Sequence, residues 1–194
     1  PGTEGANAIA DVVFGAYAPS GKLTMSFPYS VGQVPVHYNE YSTGRPNLPG
    51  MKERFRSKYL DIPNAPLYPF GYGLSYTEFT YERLKARVKG NGNGAKVQVT
   101  LGVVNTGAMK GKEVVQLYVG RKNSGEDRPI RELKAFDKIS LKPGEIKNLE
   151  FMLDMEAFSY YDEKEKEFRV EKGAYIISVC RSAHEVWMET EVEL

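Results

Sequence analysis

The second half of the chain constrains the fold most: from about residue 79 onward, apolar and polar residues alternate in short runs, each closed by turn residues. A period of two puts one face of a strand in a core and the other in water. Val97, Val99, Leu101 and Val103 make one such row, with Gln98 and Thr100 on the opposite face. Phe79, Tyr81 and Leu84 precede it, and Val115, Leu117 and Val119 follow. Leu133 to Ile139 is the next run, then Leu149, Phe151 and Leu153, then Tyr175, Ile177 and Val179. Met188, Thr190, Val192 and Leu194 close the series. Between the runs, Gly90-Asn91-Gly92-Asn93-Gly94 reads as a hairpin tip and Asn105-Thr106-Gly107 as a turn. Lys142-Pro143-Gly144-Glu145 is a further turn, its proline preset for the first corner. Asp154 reads as the cap of a single helical turn through Phe158, and Glu163-Lys164-Glu165-Lys166 as a solvated hairpin end.

About seven strands at roughly 8–12-residue spacing predict a β-sandwich, because each strand buries one face and two sheets must then share a core. Residues 85–194 are close to the usual size of an immunoglobulin-like or fibronectin type III-like sandwich. Tyr175, two residues after Gly173, is placed as a tyrosine corner, its hydroxyl tying down a crossing loop. Cys180 is the sole cysteine, so an internal disulfide is excluded. Trp187, in the last strand, is expected to pack in the core or on a sheet face rather than to serve as a ligand-stacking platform.

The first half differs in kind. Most of the prolines lie before residue 84. Ala6, Ile9, Ala10, Val13 and Phe14 recur at three- and four-residue steps, which predicts an amphipathic helix, with Thr3 as its cap and Gly15 in the left-handed position that ends it. Pro19-Ser20-Gly21 turns the chain. Leu23, Met25 and Phe27 then alternate as a strand that Pro28 stops. One helix and one strand need a larger sheet to pack on. The opening Pro1-Gly2-Thr3 reads as the interior of a longer polypeptide, and Ile9, Val13 and Leu23 are expected to find cover against the chain's own sandwich or a second copy.

From Tyr29 to Pro66 no period persists, which suits either a linker draped over the protein or a ligand-facing loop. Within it His37, Tyr38 and Arg45 are the candidate ligand-side residues, an aromatic ring beside hydrogen-bond donors. The stretch Pro66-Leu67-Tyr68-Pro69-Phe70-Gly71-Tyr72-Gly73-Leu74-Ser75-Tyr76 cannot make a regular helix; it suits a stiff connector whose rings dock on both neighbours.

Composition removes several classes. Lys+Arg 26 against Asp+Glu 25 gives net charge +1, without the basic excess that nucleic-acid partners require. No apolar run approaches the roughly 20 residues of a membrane span. Two histidines and one cysteine are too few for a closed zinc site, and no motif asks for a cofactor.

The ordered motifs resemble glycoside hydrolase family 3. Pro1 through Gly15, followed by Pro19-Ser20-Gly21-Lys22-Leu23 and Phe27 through Pro35, is similar to the last helix–strand unit of that family's second domain. Thr43-Gly44-Arg45-Pro46 resembles a loop of its periplasmic β-glucosidase branch, and Pro69-Phe70-Gly71-Tyr72-Gly73-Leu74-Ser75-Tyr76 its C-terminal signature. Asn105-Thr106-Gly107, Glu113 through Tyr118, Arg128-Pro129 with Glu132-Leu133-Lys134, and Leu141 through Glu145 are similar to its fibronectin type III-like domain. The resemblance implies a mainly β chain in three parts. Residues 1–36 are the C-terminal remnant of an α/β sandwich domain, 37–84 a long loop and aromatic linker, and 85–194 the sandwich. It implies a retaining mechanism whose two carboxylates, roughly 5–5.5 Å apart, lie upstream. No catalytic residue is carried over, and the chain alone is expected to be inactive. The implied partners are the upstream catalytic domains and a β-glucoside or oligosaccharide, with a homo-oligomer open. The implied location is periplasmic or secreted. The competing reading is a free-standing carbohydrate- or protein-binding sandwich.

Overall fold

In a computed structural model, which describes residues 2–41, 43–46 and 50–194, the alternating runs fold as strands at the expected places. They are β1 (Phe79–Lys89), β2 (Lys96–Asn105), β3 (Gly111–Arg121), β4 (Glu132–Leu141), β5 (Ile146–Asp154), β6 (Ser159–Asp162), β7 (Glu167–Val170), β8 (Ala174–Ser182) and β9 (Glu185–Glu193). One sheet has the order β1-β2-β5 and the other β4-β3-β8-β9; β6 and β7 form a small hairpin of their own. Every pairing is antiparallel. The boundary expected at 84/85 falls inside β1.

The two inner faces make one core. Val97, Val99, Leu101 and Val103 from one sheet meet Val115, Leu117, Val119, Ile177 and Val179 from the other, all buried. Phe158 and Tyr175 close one end, their rings 5.3 Å apart and edge to face. The Tyr175 hydroxyl donates to the carbonyls of Glu171 (2.8 Å) and Phe158 (3.2 Å), the tie expected of a tyrosine corner. At the far turn, Asn105 Nδ2 donates to the carbonyls of Met109 (2.8 Å) and Leu141 (3.1 Å), and its Oδ1 accepts from Thr77 Oγ (2.7 Å). A buried turn is tolerable because its polar groups are paired in this way. The charged tip at 163–166 is the β6–β7 turn. Met155–Phe158 forms one 3-10 turn, although the Asp154 side chain does not cap it.

The first half corrects three expectations. Helix α1 spans Gly5–Val13 and ends with Gly15 at φ 79°, but its N-cap is Glu4, with no side-chain cap from Thr3. The strand expected at Leu23–Phe27 is instead a narrow ladder with the linker. Leu23 N–H bonds the Tyr72 carbonyl at 2.8 Å, Gly71 N–H bonds the Leu23 carbonyl at 2.8 Å, and Phe27 and Tyr68 exchange a pair at 2.7 and 3.2 Å. The alternation correctly marks extended backbone, but a sheet needs a neighbouring strand, and the linker is what pairs with it. Third, the helix does not pack on the sandwich: Ile9 is 53% exposed, Val13 64% and Phe14 87%. Leu23, in contrast, is half-buried.

Candidate functional site

The long loop is built around one buried glutamine. Gln33 Oε1 accepts from Tyr29 N–H (2.6 Å), and its Nε2 donates to the carbonyls of Pro63 (2.8 Å) and Ala65 (3.3 Å). A side chain that replaces backbone partners in this way closes a segment without regular structure. A second anchor is Tyr38, whose ring stacks on Phe70 at 4.3 Å and meets the edge of Tyr118 at 5.9 Å. Its hydroxyl accepts from Leu133 N–H of β4 at 3.2 Å. These rings bury the outer face of β3 and β8, together with Cys180 and Ala183. The β3–β8 pair is therefore covered on both faces. Burial pushes the Tyr118 phenol up and the Cys180 thiol up to about 11, because each charged form would lose its hydration.

A polar seam locks the α/β-type segment to the sandwich. Lys22 Nζ lies 3.3 Å from Glu113 Oε1, both nearly buried, and the Tyr81 hydroxyl donates to the same carboxylate at 2.8 Å. Burial, and then the Glu113 charge, drive the Tyr81 pKa far up, so the phenol stays a donor. Gln116 Nε2 donates to the carbonyls of Gly71 and Arg181, each at 3.0 Å. Gly71 sits at φ 79°, and a Cβ there would run into the Gln116 side chain, so only glycine allows this approach. Ala183 N–H bonds the Phe70 carbonyl at 2.9 Å, and the Tyr76 hydroxyl donates to the Val12 carbonyl of α1 at 2.8 Å. The connector thus docks on both neighbours.

Tyr38 is occupied as an anchor by Phe70, Tyr118 and Leu133, whereas His37 and Arg45 lie exposed on the loop. Trp187 packs at the sandwich edge: its Nε1 lies 3.4 Å from the Tyr81 carbonyl, and Arg181 stacks 3.9 Å from its ring centre.

What the strand pattern did not single out is a cavity of about 680 Å³ between the loop, at Tyr41, and the β6–β7 hairpin. Arg128 forms its floor: Nη2 donates to the carbonyls of Phe158 (3.2 Å) and Ser159 (3.3 Å), and the guanidinium lies 5.4 Å from the Tyr160 ring centre. Near it, burial would push the Glu171 carboxyl up, but the Gly125 N–H, the Ser124 hydroxyl and the Arg121 charge outweigh burial and hold it below the ordinary value. The signal that could have found the cavity is Tyr161 and Phe168, equidistant from the charged tip and hence opposite each other across a hairpin.

The comparisons agree with this architecture. The Glycosyl hydrolase family 3 C-terminal domain matches residues 1–76 and the Fibronectin type III-like domain residues 113–183. The chain is 46% identical to the Periplasmic beta-glucosidase of Salmonella typhimurium over 178 residues, 92% of this chain and 23% of that protein. It is 40% identical to a Beta-xylosidase of Formosa agariphila over 182 residues, 94% of this chain and 24% of that one. The crystal structure of beta-glucosidase from Listeria innocua in complex with glucose superposes with a TM-score of 0.91 at 44% identity, covering 100% of this chain and 26% of that chain. The chain therefore spans about a quarter of the length of the relatives it matches. An α/β-type segment belted onto a fibronectin type III-like sandwich is thus an arrangement that this chain shares with part of those glycosidases. The chain carries a Glycosyl hydrolase family 3 C-terminal domain and a Fibronectin type III-like domain, and it resembles the corresponding part of β-glucosidases.

Proposed function

We propose that this chain is the non-catalytic C-terminal portion of a retaining β-glucosidase-like hydrolase, and that it holds the upstream catalytic domains in place. The observation that carries the reading is the contrast within the α/β-type segment. Its inner side is locked to the sandwich by Lys22–Glu113 and the ladder to the linker, while its outer side leaves Ile9, Val13 and Phe14 uncovered. Burying each such side chain is worth about 1.5–3 kcal/mol. The uncovered face packs on the sheet of the upstream α/β domain, with residues 1–36 closing that domain, the segment after them acting as a belt, and the sandwich beginning at β1.

In this reading the nucleophile and the acid/base carboxylate lie upstream, and the belt reaches the outer sugar subsites of those domains or of a second copy. Tyr38 positions the belt, and the exposed His37 and Arg45 are its substrate-side groups. The substrate is a β-glucoside or oligosaccharide, which the Listeria innocua glucose complex supports. The location is periplasmic or secreted, supported by the name of the Salmonella relative.

Two measurements test this. The reading frame upstream of Pro1 is expected to encode a barrel domain with an aspartate nucleophile; a start codon directly before Pro1 would overturn the reading. The 194-residue chain alone is expected to leave an aryl β-glucoside intact. Turnover that one carboxylate substitution abolishes would show an independent active site and remove the supporting role.

A further inference from the structure

We infer that the cavity between Tyr41 and the β6–β7 hairpin is a binding site for a neutral oligosaccharide. Tyr161 and Phe168 are direct cross-strand partners. Their rings meet edge to face at 5.3 Å, yet they are 51% and 72% exposed. Both line the cavity, and Tyr41, 60% exposed, faces them from the long loop. A pyranose presents C–H groups on its ring faces and hydroxyls around its rim. Such a ligand needs aromatic faces and, around them, hydrogen-bonding groups at fixed positions.

The cavity supplies both. Its volume of about 680 Å³ lies within the range of small-molecule sites. Asp127, Asp154, Glu156 and Glu163 line it and offer acceptors to hydroxyl donors. The floor is pre-organised, since Arg128 is held by two backbone carbonyls and packs on the rings of Tyr160 and Tyr175. Lys134 is already engaged by Glu132 at 3.2 Å, which leaves the wall predominantly anionic and so unfavourable to uronates and sulfated sugars. Among the described residues no three His, Cys, Asp or Glu side chains converge as a metal site requires, so the carboxylates are not a cation cage. A second cavity, of about 880 Å³, shares Phe168, Glu156 and Ser159 with the first. A chain stacked on Phe168 can extend to either side, which favours a linear oligomer over a single sugar.

The test titrates the 194-residue chain with cellotetraose, laminaritetraose and tetragalacturonate, followed by intrinsic fluorescence and by chemical-shift changes. Saturation by at least one neutral tetrasaccharide is expected in the millimolar range. Phe168→Ala and Tyr161→Ala are each expected to weaken it by about fivefold or more. Phe136→Ala removes a ring of similar exposure, 66%, on β4 outside the cavity, and is expected to change nothing. Unfolding midpoints check that all three variants fold. The proposal is overturned if neither neutral sugar saturates by about 10 mM, if tetragalacturonate binds as tightly, or if Phe136→Ala costs as much as Phe168→Ala. It does not rest on the hydrolase reading: a missing upstream barrel would leave the binding result standing, and absent binding would leave that reading untouched.

Discussion

The sandwich from β1 to β9 and the segment before it solve the same problem in opposite ways. The sandwich buries its apolar rows against itself: Leu117, Ile139, Leu141 and Ile177 are almost wholly removed from water by other residues of the same sandwich. Among its described residues the preceding segment forms no apolar core of its own. Its order comes from Gln33, which closes the loop on itself, and from the side it presents to the sandwich through Tyr38, Phe70 and the Lys22–Glu113 pair; its other side stays wet. A self-sufficient domain and a belt that borrows its stability should therefore respond differently to the same kind of damage.

The sharpest contrast is between two truncations. Leu117→Ala is expected to cost about 2–5 kcal/mol in chemical unfolding, since it opens a cavity in a closed core. Val13→Ala in α1 should stay within about 0.5 kcal/mol in this chain, because the side chain is already in water. Equal losses would break the comparison.

Next comes the seam. Glu113→Ala removes the partner of both Lys22 and the Tyr81 hydroxyl and is expected to cost about 1–3 kcal/mol. Limited proteolysis should then cut residues 22–76 sooner while the sandwich persists. A belt as resistant as before would mean that the seam does not hold it.

Within the sandwich, Tyr175→Phe keeps the ring and loses both hydroxyl bonds, and should lower stability by about 1 kcal/mol. The smallest effect is on pH dependence. Burial pushes the folded Cys180 thiol up to about 11, above its unfolded value of about 8.5. Its contribution is whole below the unfolded value and is lost as pH rises toward 11. Stability should fall over that window, more gently in Cys180→Ala. A thiol reagent at pH 8 should label Cys180 only after unfolding; rapid labelling of the folded chain would show that the belt does not cover β8.

Much of this fold was legible from local pattern. The rows of β2, β3 and β8, the turns at Asn105 and Pro143, the charged hairpin end and the Tyr175 corner each depend on residues within a few positions of one another. The site was less legible. Tyr38 meets Tyr118 across some eighty residues of chain, and Tyr41 faces Phe168 across still more, distances over which no periodicity carries information. Gln116 and Tyr118 sit at alternate positions of β3 from its core row, and alternation alone assigns them to solvent; the belt buries them.

The amino-acid order was enough to set the strands and their inward faces, because period-two burial and turn chemistry act locally. Which face of the sheet the belt would cover, where Lys22 would find Glu113, and which rings would stay uncovered around the Phe168 cavity emerged only in three dimensions. Those outcomes are won by packing between distant segments, where many weak contacts compete and no single residue announces the winner.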